Sequence, residues 1–234
     1  MYLISKRIFD FVGSLILIII LVPFLVVIII LLLFNKQDVF YLQKRLGLNN
    51  KYFKIYKFST MLKNSLSMSG GAITLRNDPR VTKTGKILRI TKLNELPQLF
   101  NVLLGSMSFV GPRPIMDDGF SLYSLDAQSI LYKSKPGITG VSSVVFRDEE
   151  FYVTYSGIYP LLFYTEYVFP YKSKLEIWYY NNRSFYVDFM LIILTAIKII
   201  FPSSKIEFEI FKTLPKDKYF DSFKSQQPTA NNNV

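Results

Sequence analysis

The sequence predicts an α/β protein: a small mixed α/β cytosolic domain with an N-terminal re-entrant membrane helix hairpin and interfacial amphipathic helices. Three observations predict it: an uncharged apolar run with a proline near its middle, a stretch of alternating apolar and polar residues behind that run, and apolar residues at helical spacing further on.

The run from Phe11 to Phe34 is 24 residues without a charge, against roughly 20 that a helix needs to cross a bilayer. It is too long and too late for the core of a secretory signal, and no A-x-A site follows, so the anchor is expected to stay. Pro23 removes a backbone donor and costs about 3 kcal/mol in a helix interior, although membrane helices tolerate kinks. Lys6 and Arg7 precede the run, and Lys36, Lys44, Arg45 and Lys51 follow it, so both flanks favour the cytoplasmic side. A helix broken at Pro23, each half about 18 Å long, dips into one leaflet and returns; a straight span is the competing form. The anchor is assigned to residues 1–38.

Residues 39–213 form the expected catalytic domain. At its start, VFYLQKRLGLNNKYFKIYKFST alternates around a Gly-Leu-Asn-Asn turn and reads as a short hairpin. Between Lys44 and Lys92 stand twelve Lys or Arg residues and one acid, Asp78, which makes a concentrated cationic surface. It suits anionic lipid, a phosphate pocket, or both, with Arg80 and Lys83 expected to face headgroups. Leu88, Leu93, Leu96, Leu99, Val102 and Leu103 then give a helical period, with Asn94 as the expected N-cap and Pro97 in the first turn. GPRP at 111–114 and PGITG at 136–140 are rigid turns whose backbone donors could approach an anion. FMLIILTAIKIIF at 189–201 contains Lys198 and is short for a span, so an interfacial or packing helix is expected. Residues 214–234 end in SQQPTANNNV and are expected to be a polar, disordered tail.

Composition narrows the chemistry. The 234 residues carry 28 Lys+Arg against 17 Asp+Glu, a formal charge of +11, which points to partners bearing phosphate. Half the residues are hydrophobic and the mean hydropathy is +0.25, high for a water-soluble chain. There is no Cys and no His, which excludes thiol nucleophiles, Ser-His-Asp triads and sites that need imidazole or thiolate ligands. Carboxylate chemistry on phosphate with Mg²⁺ remains. No recognised nucleic-acid-binding motif accompanies the charge, so nucleic acid is not expected as a partner.

The chain resembles the bacterial sugar transferase family, the monotopic polyprenyl-phosphate phosphoglycosyl transferases. The resemblance covers about Lys6 to Thr195. It rests on KRIFDF at 6–11, the proline-bearing anchor, Gln43, Arg45 and Gly47, YKF at 56–58 with Thr60 and Met61, DPRVTKTGKILR at 78–89, ELPQLFNVLLG at 95–105, MSFVGPRP at 107–114, PGITG, and Ser184 with Asp188. It implies that a nucleotide diphospho-sugar, usually a UDP-sugar, donates its sugar phosphate to polyprenyl (undecaprenyl) phosphate with Mg²⁺. UMP is released, and polysaccharide or glycan assembly begins at the cytoplasmic face of the bacterial inner membrane. Partners are then UDP-sugar, polyprenyl phosphate and anionic lipids; a homo-oligomer is left open.

In the family an Asp-Glu pair heads the helix, the Asp attacking the sugar-bearing phosphate and the Glu holding Mg²⁺. The matching positions are Asn94 and Glu95. A neutral amide cannot act as a carboxylate nucleophile, so three accounts stand. The nucleophile moves to Glu95 or to a compensating carboxylate, Asp148, Glu149 or Glu150. Alternatively, polyprenyl phosphate attacks directly with Asn94 donating a hydrogen bond. The third account is a non-catalytic pseudoenzyme or scaffold that binds nucleotide sugar or lipid phosphate. Further departures are Ser59 after YKF, Ser106 after Gly105, and Val141-Ser142-Ser143 after PGITG. Catalytic candidates are Asn94 and Glu95, with Glu95 as the metal ligand; Arg45, Arg89, Arg113 and Arg147 are the phosphate-binding candidates.

Overall fold

A computed structural model describes residues 2–35, 38–65 and 77–225. Helix α1 (Tyr2–Phe34) runs for 33 residues with Pro23 inside it. The two helices expected on either side of Pro23 are thus one, because a proline removes a single donor and the neighbouring backbone bonds carry the helix past it. Among the described residues α1 alone is long and apolar enough to cross a membrane.

Both ends of α1 dock on one body. Near the start, Arg7 donates to the carbonyls of Val102 and Leu103 at 2.7 and 2.8 Å, and Asp10 accepts from the Phe109 N–H at 3.0 Å. Asp188 takes an ion pair from Lys6 and hydrogen bonds from Tyr2 and Tyr179. Toward the other end Leu25, Ile28 and Leu32 pack with Phe58 and Leu88. Most remaining apolar side chains of α1, such as Ile4, Ile19 and Phe24, face outward.

Strands β1 (Phe40–Leu46) and β2 (Tyr52–Phe58) form the expected antiparallel hairpin, with Phe40 opposite Phe58 and Leu46 opposite Tyr52. Asn49 and Asn50 turn the chain at φ of 55° and 57°, a region that asparagine tolerates better than most residues. Helix α2 (Lys83–Ile90) is capped by Thr82, whose hydroxyl accepts from the Gly85 N–H at 3.0 Å. Gly85 lets α2 sit directly on the backbone after β2: a Cβ there would meet the Thr60 carbonyl oxygen at 2.1 Å. Arg80 is buried and bonded to Asp78, so it does not face headgroups as expected; the Asp two residues earlier satisfies its fork.

A single 3-10 turn, Leu93–Glu95, precedes α3 (Gln98–Leu104). Asn94 is therefore not the N-cap of a helix that begins at 95. The reason is local: Pro97 has no N–H to offer Asn94, and the Leu96 N–H is spent on the Leu93 carbonyl at 3.2 Å.

Strand β3 (Ser108–Val110) leads to α4 (Asp117–Phe120) and α5 (Leu125–Leu131), and β4 (Gly137–Thr139) returns parallel to β3. The two glycine turns lie backbone on backbone: the Gly111 N–H bonds Thr139 and the Gly137 N–H bonds Pro112, at 3.0 and 2.9 Å. These donors are consumed by each other and are not offered to an anion. The turns fix Arg113 instead. A Cβ on Gly137 would sit 2.2 Å from the Gly111 nitrogen, so no other residue fits.

The rest is helical: α6 (Val141–Val145), α7 (Glu149–Tyr155), α8 (Pro160–Phe163), a π-turn over Tyr164–Val168, α9 (Phe169–Asn182), α10 (Phe185–Ile200), α11 (Glu207–Ile210) and α12 (Lys218–Ser225). Val144, Phe163, Leu175, Leu191 and Leu194 centre the main core. Helix α10 packs inward while Phe189 and Ile200 face outward, and its Lys198 is buried against Glu207 at 2.7 Å. The tail expected from 214 onward begins inside the body, since Leu214 and Phe220 join the core; their two apolar contacts outweigh a polar composition. Residues 226–234 lie outside the described residues.

Candidate functional site

The site gathers where the 3-10 turn, the β1–β2 hairpin and the GPRP turn converge. Lys92, at φ 60°, throws the chain out of α2 into the turn. Asn94 and Glu95 follow, both buried. Glu95 Oε1 lies 2.7 Å from Arg113 Nη2 and 3.7 Å from Lys57 Nζ. Burial alone would raise the Glu95 carboxyl, but Arg113, Lys57 and Lys92 outweigh it and hold it well below the usual carboxylate range. It is an ionised carboxylate in a cationic surround.

That surround is larger than one salt bridge. Arg45, from β1, is pushed down to about 10 by burial and by Arg113. Burial also lowers Lys92 and Arg147, and both feel Glu95 and Arg113. Burial takes Lys57 down to about 7 against the pull of Glu95. Of the four expected arginines, Arg113 contacts Glu95, while Arg45, bonded to Gln43, and Arg147, bonded to the Ile90 carbonyl at 3.3 Å, act on it through charge alone. Arg89 stands 3.6 Å from Glu150 instead.

The acidic run at 148–150 is divided. Both Glu149 oxygens lie 2.8 Å from Lys172 Nζ, which, with Tyr164, keeps that carboxyl low despite burial. Glu150 faces Arg89, and Asp148 stands close enough to act on Arg147. None of the three is brought into contact with Asn94 by a described hydrogen bond or ion pair.

Two residues escaped the sequence reading, Lys57 and Lys92. Lys57 could have been found: strand alternation puts it on the face of Ile55, which is 1% exposed, so its ammonium had to point inward. Nothing in the sequence marks the left-handed conformation of Lys92.

Among the described residues no three potential ligands cluster to cage a metal. Glu95 supplies one carboxylate, and the amide oxygen of Asn94 is buried without a hydrogen-bond partner. Both are oxygen donors of the kind Mg²⁺ takes, one or two carboxylates commonly being joined by substrate phosphate and water. Without phosphate, the surrounding cations oppose any divalent ion. The arrangement can hold phosphate oxygens on guanidinium and ammonium groups around one fixed negative charge.

Comparison with known proteins gives the family. The family model described as bacterial sugar transferase matches residues 1–202. The chain is 33% identical over 199 residues to the uncharacterised sugar transferase EpsL of Bacillus subtilis, covering 85% of this chain and 88% of that one. It is also 33% identical over 205 residues to the undecaprenyl-phosphate galactose phosphotransferase of Salmonella typhimurium, covering 82% of this chain and 39% of that one. An exopolysaccharide production protein of Rhizobium leguminosarum is 42% identical over 150 residues, which cover 62% of this chain and 75% of the relative. The match spans the anchor, the 3-10 turn with Glu95 and the turn that carries Arg113, so this chain belongs to the bacterial sugar transferase family.

Proposed function

We propose that the chain is a phosphoglycosyl transferase that moves a sugar 1-phosphate from a UDP-sugar to polyprenyl phosphate, releasing UMP and starting exopolysaccharide or related glycan assembly. The observation that carries this reading is Glu95 clasped by Arg113 among half-buried cations, on the body against which the apolar helix α1 docks. A lipid phosphate presents its charge at the headgroup plane, and a site fixed beside the anchor meets it there without extracting the lipid. The relatives named as undecaprenyl-phosphate galactose and glucose phosphotransferases support the acceptor and the reaction.

Glu95 and the Asn94 amide oxygen would hold Mg²⁺, which supplies charge neutralisation on the diphosphate when bound. Arg113, with one edge on Glu95, offers the rest of its fork to a phosphate. Arg45, Arg147 and Lys92 add to the same field, and Arg89 stands at its edge. The anchor lies at the cytoplasmic leaflet as a monotopic element. The docking of both ends of the continuous helix α1 on one body supports that form, since a straight span would carry one end across the bilayer.

A non-catalytic binder is the second reading, favoured by the neutral Asn94. The deciding experiment incubates the purified chain with polyprenyl phosphate, Mg²⁺ and a panel of UDP-sugars and follows UMP. Acceptor-dependent UMP with at least one donor is expected. Binding without UMP for every donor overturns the enzyme.

A further inference from the structure

Beyond residue 202, where the family match ends, the chain runs against α10 and α9 and is tied down at successive points. Glu207 of α11 pairs with Lys198 of α10, both buried. Phe211 packs on Trp178 at 5.2 Å, and the Trp178 indole N–H donates to Thr213 Oγ1 at 3.0 Å. The Tyr171 hydroxyl donates to the Pro215 carbonyl at 2.8 Å. Helix α12 closes this strap. At 8 residues it is too short to persist in water alone, so its tertiary contacts hold it.

Those contacts centre on Phe220, which is 6% exposed. Its ring meets Phe146 edge-on at 5.0 Å and Tyr152 at 5.4 Å, and stacks on Tyr171 at 5.6 Å. Phe146 immediately precedes Arg147, Tyr152 lies on α7, and Tyr171 immediately precedes Lys172, which clamps Glu149. Phe220 is thus wedged among three side chains that flank the corner between α6 and α7. Arg147 stands at that corner. One of its guanidinium nitrogens reaches the Ile90 carbonyl at 3.3 Å, and its Nε is buried with no hydrogen-bond partner among the described residues. With so little bonding of its own, Arg147 takes its position from the backbone that carries it, and that backbone is set by the ring packed on Phe146.

We propose that Phe220 is a positioning residue for the site: it wedges the α6–α7 corner against α9 and so holds Arg147 toward the phosphate bound beside Glu95 and Arg113. This rests on the proposed function, which gives Arg147 a phosphate to hold. A shift of about 1 Å set up far from the chemistry can cost as much as roughly 100-fold in rate, so a site residue on a short corner depends on what packs behind it. Loss of the ring leaves a gap into which Phe146 and Tyr171 relax, and Arg147 moves with Phe146. Arg45 and Arg113 stand on β1 and the GPRP turn, which carry none of the rings around Phe220.

The test is a pair of double-mutant cycles on the full chain in nanodiscs, read as kcat/KM for UMP release with undecaprenyl phosphate, Mg²⁺ and a UDP-sugar. Arg147→Gln is expected to lose about 10-fold or more, and Phe220→Ala about 5-fold or more. The double variant should lie within about twofold of Arg147→Gln alone, whereas Phe220→Ala combined with Arg45→Gln should show the two losses multiplied. A general loss of packing would multiply with both. Phe220→Leu, which keeps an apolar side chain in the socket, runs the same cycles where Phe220→Ala does not fold. Hydrogen exchange needs no turnover: in the Phe220 variant the amides of 146–155 should exchange faster while those of α2 and α3 keep their rates. Multiplied losses with Arg147, equal coupling to Arg45, or unchanged exchange over 146–155 overturn the positioning role and leave the transferase reading standing. Full activity in Arg147→Gln removes Arg147 from the site and overturns the positioning role with it. No turnover of the wild type with any donor overturns the proposed function; faster exchange over 146–155 then still supports the wedge, and unchanged exchange overturns it.

Discussion

Arg113 and Glu95 meet at 2.7 Å across a step in exposure: the Glu95 side chain is 11% exposed and that of Arg113 is 37%. One edge of the guanidinium is thereby fixed on a buried anion while the rest remains reachable from outside. The carboxylate orients the fork, and the fork keeps the carboxylate ionised.

Loss of either partner should therefore be felt twice. Glu95→Gln leaves Arg113, Lys57 and Lys92 without a counter-charge and removes the carboxylate proposed for Mg²⁺. A drop in turnover of about 100-fold or more is expected, together with a destabilisation of about 1–3 kcal/mol, less than a fully buried pair because Arg113 is partly solvated. Arg113→Lys keeps the charge but loses the planar fork, and should cost roughly 10-fold or more in kcat/KM. UMP release and urea unfolding check these, and unchanged rates in Glu95→Gln remove it from the site.

Lys57 gives the site a pH signature. Its ammonium is lowered to about 7 by burial, so its positive charge is present below that pH and lost above it. Donor binding should weaken as pH rises through about 7, with KM increasing up to roughly tenfold. The stability term has the opposite sense: the folded chain penalises the ammonium, and that penalty is relieved as pH rises from about 7 toward the ordinary lysine value. Lys57→Met should flatten the KM profile at its high-pH level. A wild-type profile that is already flat between about pH 6 and 8.5 contradicts the assignment.

The orphaned amide of Asn94 leads to a gain-of-function experiment. Asn94→Asp places a carboxylate where the family pattern has one, beside Glu95 and within the same cationic field. The variant is expected to retain a phospho-sugar adduct detectable by intact-protein mass spectrometry when donor is supplied without acceptor. If no adduct forms, the side chain at 94 does not face the transferred phosphate.

Local chemistry made much of this legible. Alternation and two asparagines gave the β1–β2 hairpin, and an uncharged run gave α1. Arg113 was visible because GPRP and PGITG can only be rigid turns, although their amides proved to bond each other. Tertiary contacts hid the rest. Asp188 pairs with Lys6 and Tyr2, far away in sequence, and Arg89 finds Glu150 only through the fold. Asn94 was misplaced as an N-cap because the spacing rule ignored that Pro97 lacks the required N–H. The packed segment beyond 214 was missed because Leu214 and Phe220 sit among polar neighbours.

The docking of both α1 ends on one body makes a topological prediction. The chain has no cysteine, so single cysteines introduced at Ser5 and at Asp38 are clean probes. Both are expected to react with a membrane-impermeant maleimide only in inside-out vesicles. Labelling of the two positions from opposite sides defeats the monotopic form and makes α1 a span.

Glu176 supplies a test of the body that is separate from the site. Its side chain lies on α9, only 3% exposed, with Ser142 and Lys172 as the polar groups that act on it. Lys172, one turn earlier, is committed to Glu149. Burial pushes the Glu176 carboxyl up to about 7, so the folded chain holds its proton more tightly than the unfolded chain does. A raised acid of this kind contributes stability that is intact below the ordinary glutamate range and is lost as pH rises through about 7. Glu176→Gln removes the charge that must otherwise be buried. It should leave stability near pH 4 almost unchanged and raise it at pH 8 by about 2–3 kcal/mol, seen as a higher midpoint in urea. Lys57 changes stability in the opposite direction over part of this range, so the comparison is between wild type and variant at each pH. Equal gaps between the two at pH 4 and pH 8 mean that Glu176 is not the group that titrates.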